Sequence, residues 1–502
     1  MSNTTSDKTF PAFARWQLLT LSILLALVLC VALGEWAGWP FLEKPLENFL
    51  TKKLERSIRF SGDASTILNK NASATQSKNK FSIRFIGGVT LKSSKFTIGA
   101  PSWSQSEPFL SANNINLKLR YIDLWHAYHN EPLRIERLQA ASLNTHLERL
   151  ADGKASWQFN KKVPTEKTIS LPSFGLLDVK EGVLTLDDAL LESKIDAQFS
   201  LNNIDQDINN KQPYTFLKAH ATGYYHKLPL IVEMASSGAI PINTKNPGPI
   251  PIALTLEAKL GKATLTFKGH ATDALHPSDF AGDFDLKGPS LAAVGDLFDI
   301  TLPTTSEFNA SGYASRQGTV WGVKLNKLDI GASHLKGDFK YVASSHVADG
   351  TAPLLTGTLG GQKLLLTDLG PALGADPTHK KKAKVLPTRP FDLASLRKMD
   401  ADVHVDIKYV DMNTHYLEPL QPLRGHLELK NGILTLKDLD AETAQGQLSG
   451  DMRLDGQGKK ALWDANLRWK GVRLERWIKQ VREDGLPPYI SGKLNGKTEL
   501  KG

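Results

Sequence analysis

A chain of 502 residues is far longer than one hydrophobic core needs, which excludes a single small globule and points to several domains or one repeating structure. Hydrophobic residues at 41% and charged residues at 23% exclude a disordered chain, and a single cysteine excludes an intramolecular disulfide framework or a thiolate zinc site. The net charge of +9 comes from basic residues interleaved with acids, which argues against nucleic acid and leaves solubility, or affinity for anionic lipid headgroups beside a bilayer.

The first element is apolar from Leu18 to Leu33, where the polar groups are those of Thr20 and Ser22 and no charge occurs. A helix from Trp16 to Trp36 would rise about 31 Å, close to the thickness of a hydrocarbon core, with indoles at both interfaces. The anchoring residues expected on it are Trp16, Leu18, Leu21, Leu25, Leu29, Leu33 and Trp36. The competing reading, a cleaved signal peptide, has an unusually long apolar region, and its best small-residue site at Ala32 and Gly34 runs into Glu35 and Trp36. A lipoprotein signal fits worse, because Val28 and Leu29 precede Cys30 where a small residue belongs. Lys8 and Arg15 against Asp7 place residues 1–15 in the cytoplasm, ahead of a transmembrane helix over 16–36.

From Pro40 to Ile58, residues Leu46, Phe49, Leu50, Leu54 and Ile58 recur at helical spacing, with Lys52, Lys53 and Arg56 elsewhere. Such a helix either lies on the membrane surface or caps the first strands. A polar loop spans Asn69 to Lys80. Strand alternation then begins with Phe81, Ile83 and Phe85, breaks at Gly87-Gly88 and resumes at Val89 and Leu91, as in a hairpin. Ile115, Leu117 and Leu119 alternate with Asn116, Lys118 and Arg120. Between Tyr121 and Asn130 a short helical or irregular connection carries His126 and His129, spaced like a metal pair but lacking a third ligand nearby, which favours packed or solvated histidines.

An internal repeat stands out. GLLDVKEGVLTLDD at Gly175 to Asp188 returns as GHLELKNGILTLKD at Gly425 to Asp438, identical at eight of fourteen positions and offset by 250 residues. Glu181-Gly182 and Asn431-Gly432 suggest two-residue turns, and Asn-Gly is the strongest type I′ signal. The second turn then sets Leu429 opposite Leu434 and Leu427 opposite Leu436, leaving Glu428, Lys430, Ile433 and Thr435 on the other face. The first copy is expected to do the same with Leu177, Val179, Leu184 and Leu186. A third hairpin around Gly261-Lys262 pairs Leu260 with Ala263, Ala258 with Leu265 and Leu256 with Phe267.

Val403, Val405, Ile407 and Tyr409 alternate with polar residues late in the chain. Short helices are expected at Ser290 to Phe298, Phe391 to Lys398 and Leu474 to Val481. A linker falls at Gly370 to Arg389, where the run from His379 to Lys384 is a solvated loop or a lipid-headgroup contact. With 39 glycines and 26 prolines spread among these runs, the body is predicted to be mainly β. Gly492 to Thr498 imitates a phosphate-binding loop, but its first glycine is one residue too close and no strand-to-helix unit surrounds it, so a strand turn is expected. No catalytic constellation, dinucleotide fingerprint, nucleophile elbow, His-Glu-x-x-His or Ca²⁺-loop pattern is present in the sequence, and no enzyme activity is expected.

Several segments together resemble the AsmA family: the apolar N-terminal helix, Leu150 to Phe159 (LADGKASWQF), Leu302 to Gly312, Ile330 to Asp338, Leu386 to Leu396 with Met399 to Val403, and Leu420 to Gly456 with its AQGQLSG at Ala444 to Gly450. The resemblance covers nearly the whole chain. It implies a Gram-negative inner-membrane protein with a periplasmic body, related in architecture to the bridge-like lipid-transfer proteins. An elongated, curled antiparallel sheet with a chorein-like start over 40–160 would follow the anchor, then a repeating sheet over 161–370, a basic linker over 371–390 and an AsmA-type segment over 391–502, expected to be truncated. The implied work is phospholipid transport between the two membranes, along an apolar groove lined by Leu177, Val179, Leu184, Leu186, Leu256, Leu265, Phe267, Leu427, Leu429, Leu434 and Leu436. The alternative is a scaffold for outer-membrane protein assembly acting through protein contacts.

Overall fold

A computed structural model describes residues 12–60, 81–104, 108–129, 134–158, 173–204, 214–238, 252–271, 279–295, 302–343, 352–369, 395–412, 418–458, 461–477 and 490–502. The polar loop expected at Asn69 to Lys80, the linker from Gly370 to Arg389 and Lys8 lie outside these residues. The chain divides into two compact units, residues 1–227 with 237–248, and residues 228–236 with 249–502.

The first unit opens with α1 (Ala12–Ala37), which leads into α2 (Glu43–Leu54). Its strands are β1 (Ile58–Arg59), β2 (Phe81–Arg84), β3 (Val89–Ile98), β4 (Leu110–Leu119), β5 (Arg134–Arg149), β6 (Ser173–Asp188), β7 (Ser193–Ile204) and β8 (Tyr214–Tyr225), with α3 (Tyr121–Tyr128) between β4 and β5. β2 and β3 form the expected hairpin, Phe81 opposite Ser93 and Arg84 opposite Thr90. Helix α2 turns its Leu46, Leu50 and Leu54 onto a core of Ile58, Phe60, Phe81, Ile83 and Leu91, while Phe49 stays exposed. Of the two readings of this helix, it is the cap on the first strands. Ile58, assigned by periodicity to the helix, instead opens β1. The buried Glu47 carboxylate beneath α2 is satisfied at both oxygens, accepting from Phe60 N–H at 2.8 Å and pairing with Lys44 at 2.8 Å.

The first copy of the repeat is not a hairpin. Residues Ser173–Asp188 form one continuous strand, β6, which runs parallel to β5 with Leu138 beside Leu177 and Leu147 beside Leu186. The turn fails for two reasons. Glu181 is less suited than Asn431 to the left-handed backbone, which Asn431 adopts at φ 52°, and β5 offers ladder partners on both sides of Gly182. The glycine has another use, since a Cβ there would lie 2.3 Å from the Phe199 ring. A β-bulge between Val179 and Gly182 against β7 shifts the alternation by one residue. Leu177, Val179, Leu184 and Leu186 therefore still share one face, though not by the route expected.

The second unit carries β9 (Leu228–Gly238), β10 (Ile252–Leu260), β11 (Ala263–Ala271), β12 (Asp279–Gly288), β13 (Phe308–Gln317), β14 (Val320–Ile330), β15 (Ser333–Val342), β16 (Leu354–Leu365), β17 (Asp400–Ile407), β18 (Val410–Asp411), β19 (Leu423–Lys430), β20 (Ile433–Thr443), β21 (Gly446–Asp455), β22 (Leu462–Arg473) and β23 (Lys493–Lys501). Two expected hairpins form in the derived register: Leu260 with Ala263, Ala258 with Leu265 and Leu256 with Phe267 at one, Leu429 with Leu434 and Leu427 with Leu436 at the other. Their turns have the predicted chemistry, with φ of 57° at Gly261, 52° at Asn431 and 77° at Gly432. The sheet is mixed rather than wholly antiparallel, because β16 runs parallel to β17 and β18, as β5 does to β6. The short helices appear as α4 (Leu291–Gly295), one tight turn at Ser395–Arg397 and α5 (Leu474–Trp477). Residues Lys493–Lys501 form strand β23, so the phosphate-loop mimic beyond Gly492 runs within a strand paired with β22 rather than in the turn expected there.

A buried carboxylate fixes the β14–β15 turn. Asp368, 1% exposed, accepts from the Ser333 hydroxyl at 2.7 Å and the Ala332 N–H at 3.0 Å, while Leu365 N–H donates to the Ser333 oxygen at 2.9 Å. Asp368→Ala leaves these donors unpaired in a dry site and is expected to destabilise the second unit by about 2 kcal/mol. A urea titration followed by hydrogen exchange at β14 and β15 checks this. Unchanged protection would mean that water replaces the carboxylate at no cost.

Candidate functional site

Register in the second unit assembles apolar residues from distant parts of the sequence into rows that cross the strands. One row begins at Ala258 and passes through Leu265, Leu286, Ala310, Leu328, Leu335, Gly361, Ile407, Leu423, Ala441 and Leu448 to Trp469, each the cross-strand partner of the one before. A second runs Leu254, Gly269, Gly282, Ala314, Val323, Phe339, Gly357, Val403, Leu427, Leu436, Met452, Ala465, Leu500. Neither contains a charged side chain. At a strand spacing of about 4.8 Å, the twelve strands of the first row extend roughly 53 Å along the hydrogen-bonding direction.

The opposite face is largely polar, with Val320, Val342, Leu354 and Ile433 as apolar exceptions. There the partners are Thr255, Lys268, Asp283, Tyr313, Lys324, Asp338, Thr358, His404, His426 and Lys437. Bulges at Ser311/Gly312, Leu325/Leu328, Arg424/His426 and Leu436/Leu439 correct the alternation wherever it would slip, so the two faces stay separate across the unit. Glycines occupy apolar-side positions where neighbouring strands come too close for a side chain: a Cβ at Gly312 would lie 2.0 Å from the Lys324 carbonyl oxygen, and one at Gly357 2.2 Å from that of Asp338.

All seven second-unit residues expected in the groove lie on this one face. Leu265, Leu427 and Leu436 are in the rows above, Leu256 pairs with Phe267 between them, and Leu429 pairs with Leu434 two residues further along. Phe267 and Leu429 are buried, whereas Leu254, Leu256, Leu265, Leu427, Leu434 and Leu436 are only half-buried. Leucines on the inner face of a closed sandwich would be covered by a second sheet. In the first unit a corresponding row joins Ile83, Leu91, Leu117, Leu138 and Leu177, and Val179, Leu184 and Leu186 pair with Leu201, Ala197 and Ile195.

The anchor residues Leu21, Leu25, Leu29, Leu33 and Trp36 are exposed along α1, whose segment Thr20–Ala37 has a mean hydropathy of 2.1 and is long and apolar enough to cross a membrane. The side chains of Trp16 and Leu18 lie outside the described residues. His126 and His129 sit on and just after α3, where the His129 ring packs 4.6 Å from that of Trp125, as a packed histidine does.

One cluster escaped the sequence reading. On the polar face, Asp402 and His404 of β17 meet His426 of β19, with ligand atoms within 4.8 Å of one another. Two imidazoles and a carboxylate could hold a divalent transition ion. As it stands, His426 Nε2 lies 2.7 Å from Asp402 Oδ1, which satisfies two of the three groups, and the His404 ring stacks on His426 at 4.3 Å. Only the β17–β19 register brings these residues together.

The AsmA family model matches from the middle of β14 to the end of the chain. Residues 325–502 match the AsmA family. The resemblance read from the sequence is thereby supported, and the AsmA-matched part contains the Asn431-Gly432 hairpin and the C-terminal stretch of both apolar rows. The AsmA family protein YhjG of Escherichia coli (strain K12) is 24% identical over 304 residues, which cover 56% of this chain and 42% of that protein. The alignment thus spans less than half of the relative's length. No solved structure matches.

Proposed function

We propose that α1 anchors this protein in the inner membrane of a Gram-negative cell, N-terminus in the cytoplasm, and that its periplasmic sheets hold phospholipid acyl chains against their apolar faces and support lipid passage to the outer membrane. The observation that carries the proposal is the uncharged row from Leu254 to Leu500, in which Leu254, Val323, Phe339, Leu427 and Leu436 are only half-buried and Met452 and Leu500 are exposed, whereas most of the row from Ala258 to Trp469 is already buried within the protein. Apolar surface of that extent needs a cover, and an acyl chain suits a face that offers no hydrogen-bonding partner. On this reading the protein is not an enzyme. It needs no cofactor, because its work is done by a continuous surface rather than by reacting groups at one point.

The test is photo-crosslinking in cells with a benzophenone amino acid at Leu256 or Leu436, and at Lys268 or Lys324 of the polar face as controls. Phospholipid adducts at the leucines and none at the lysines are expected. Protein adducts at the leucines would instead favour a scaffold for outer-membrane protein assembly, and labelling by neither would overturn the lipid reading for these positions.

A further inference from the structure

Helix α3 is amphipathic in the wrong sense for water. Its carboxylate, Asp123, points inward and is held by Arg120 through two hydrogen bonds of 2.7 Å from Nε and Nη2, while Tyr121, Ile122, Trp125 and Tyr128 face outward. At 100° per residue these four side chains fall within an arc of about 120°. Trp125 is 62% exposed and Tyr128 82%. A helix that buries its charge and presents two tyrosines, an isoleucine and a tryptophan is built for an apolar neighbour with a wet rim.

The place of this face relative to α1 identifies the neighbour. The last turn of α1 is bonded directly to the β2–β3 turn: Glu35 Oε1 accepts from Phe85 N–H at 2.8 Å, and Gly38 C=O accepts from Ile83 N–H at 2.8 Å. Trp39, at φ 41°, folds its ring back over Gly34 and against Phe85, so α1 enters the sheet without slack. The Tyr121 hydroxyl donates to the Phe85 carbonyl, which ties α3 to the same turn. Beside these contacts Trp36 is 82% exposed and Ile86 80% exposed. Helix α3 is therefore tied through the β2–β3 turn to the end of the membrane helix.

We propose that the outward face of α3, with Ile86 and Trp36, seats in the headgroup region of the bilayer that α1 crosses, as a second membrane contact that fixes the tilt of the first strands against the membrane. Tyrosine and tryptophan prefer that depth, where ring and polar tip are both satisfied. This inference rests on the anchored reading of α1, and the test separates the two. The full chain is placed in phosphatidylethanolamine–phosphatidylglycerol vesicles carrying nitroxide lipids labelled near the headgroup or deep in the acyl chain. A fluorophore on the native Cys30, which is exposed on α1, reports the crossing. In a Cys30→Ser background, Ile122→Cys and Tyr128→Cys report the α3 face, and Lys95→Cys, on the exposed side of β3, is the control.

Strong quenching of Cys30 by the deep nitroxide, with Ile122 and Tyr128 labels quenched several-fold more than Lys95 by the shallow one, is the expected result. In Trp125→Glu/Tyr128→Glu protein, the Ile122 label should lose that quenching while Cys30 keeps its own. Cys30 quenched but Ile122 and Tyr128 no different from Lys95 overturns the second contact and leaves the face to a protein partner. Cys30 unquenched overturns the anchored reading itself.

Discussion

Glutamate at Leu256 or Leu436 is expected to leave the second unit folded and to abolish phospholipid crosslinking, whereas glutamate at Ala465 is expected to unfold it. All three are on the apolar face, but Ala465 is 1% exposed and the two leucines are half-buried. A carboxylate at Ala465 has neither room nor a partner, and such substitutions cost more than about 4 kcal/mol. A carboxylate at Leu256 or Leu436 reaches water when no lipid is bound, so the loss is that of one half-buried leucine, about 1 kcal/mol. With an acyl chain in place, however, the same carboxylate would have to be desolvated. Protease resistance and lipid co-purification, measured on the same preparations, give the two readouts. Collapse at Leu256 and Leu436 equal to that at Ala465 would identify the face as an ordinary core. A folded variant that keeps its lipid would remove these positions from the conduit.

The second large effect is expected from Arg149→Ala, which should lower the stability of the first unit by about 3 kcal/mol. β5 and β6 are joined in parallel without a hairpin, and at one end of the pair Arg149 Nε donates to Asp188 Oδ1 at 3.0 Å, while Leu191 N–H also donates to that oxygen at 3.0 Å. Burial by itself would raise the Asp188 carboxyl, but Arg149 and the Leu191 N–H outweigh it and hold the carboxyl below the usual range. Because the folded value is depressed, the carboxylate stabilises the fold above the unfolded value of about 3.9, and that contribution is lost as the pH falls through the lower folded value. Hydrogen exchange at β5 and β6 after pulses from pH 5 downward should show protection falling in the natural protein and falling less in Asp188→Asn. Equal acid sensitivity in the two would assign the transition to other carboxylates.

Local turn chemistry makes two hairpins legible in the amino-acid sequence. Asn431-Gly432 and Gly261-Lys262 place residues that accept positive φ between alternating runs, and register follows from the turn. Glu181-Gly182 looks alike because the surrounding leucines repeat, yet the parallel partner β5, contributed by a segment outside the repeat, decides the outcome. Only the hairpin segments of the rows, Ala258 with Leu265 and Leu427 with Leu436, are legible, since bulges on the strands between them reverse sequence parity. The meeting of Asp402, His404 and His426 is not legible. For α2 the apolar stripe is visible but its partner is not, and only the core around Phe60 settles that it faces protein. On α3 the outward aromatics are legible as residues, while the inward turn of Asp123 is not, because it depends on Arg120 at the end of β4.

From β10 to β22 each strand except the two-residue β18 contributes one residue to a given apolar row, and most successive strands are joined as hairpins. Inserting or deleting one such hairpin would lengthen or shorten the row by about 9.6 Å without reversing the chain, exchanging the faces or altering what the row presents. The distance over which this surface extends is thus a quantity that can change in steps of two strands, independently of the chemistry along its length, so that closely similar proteins could differ in reach by hairpin number alone.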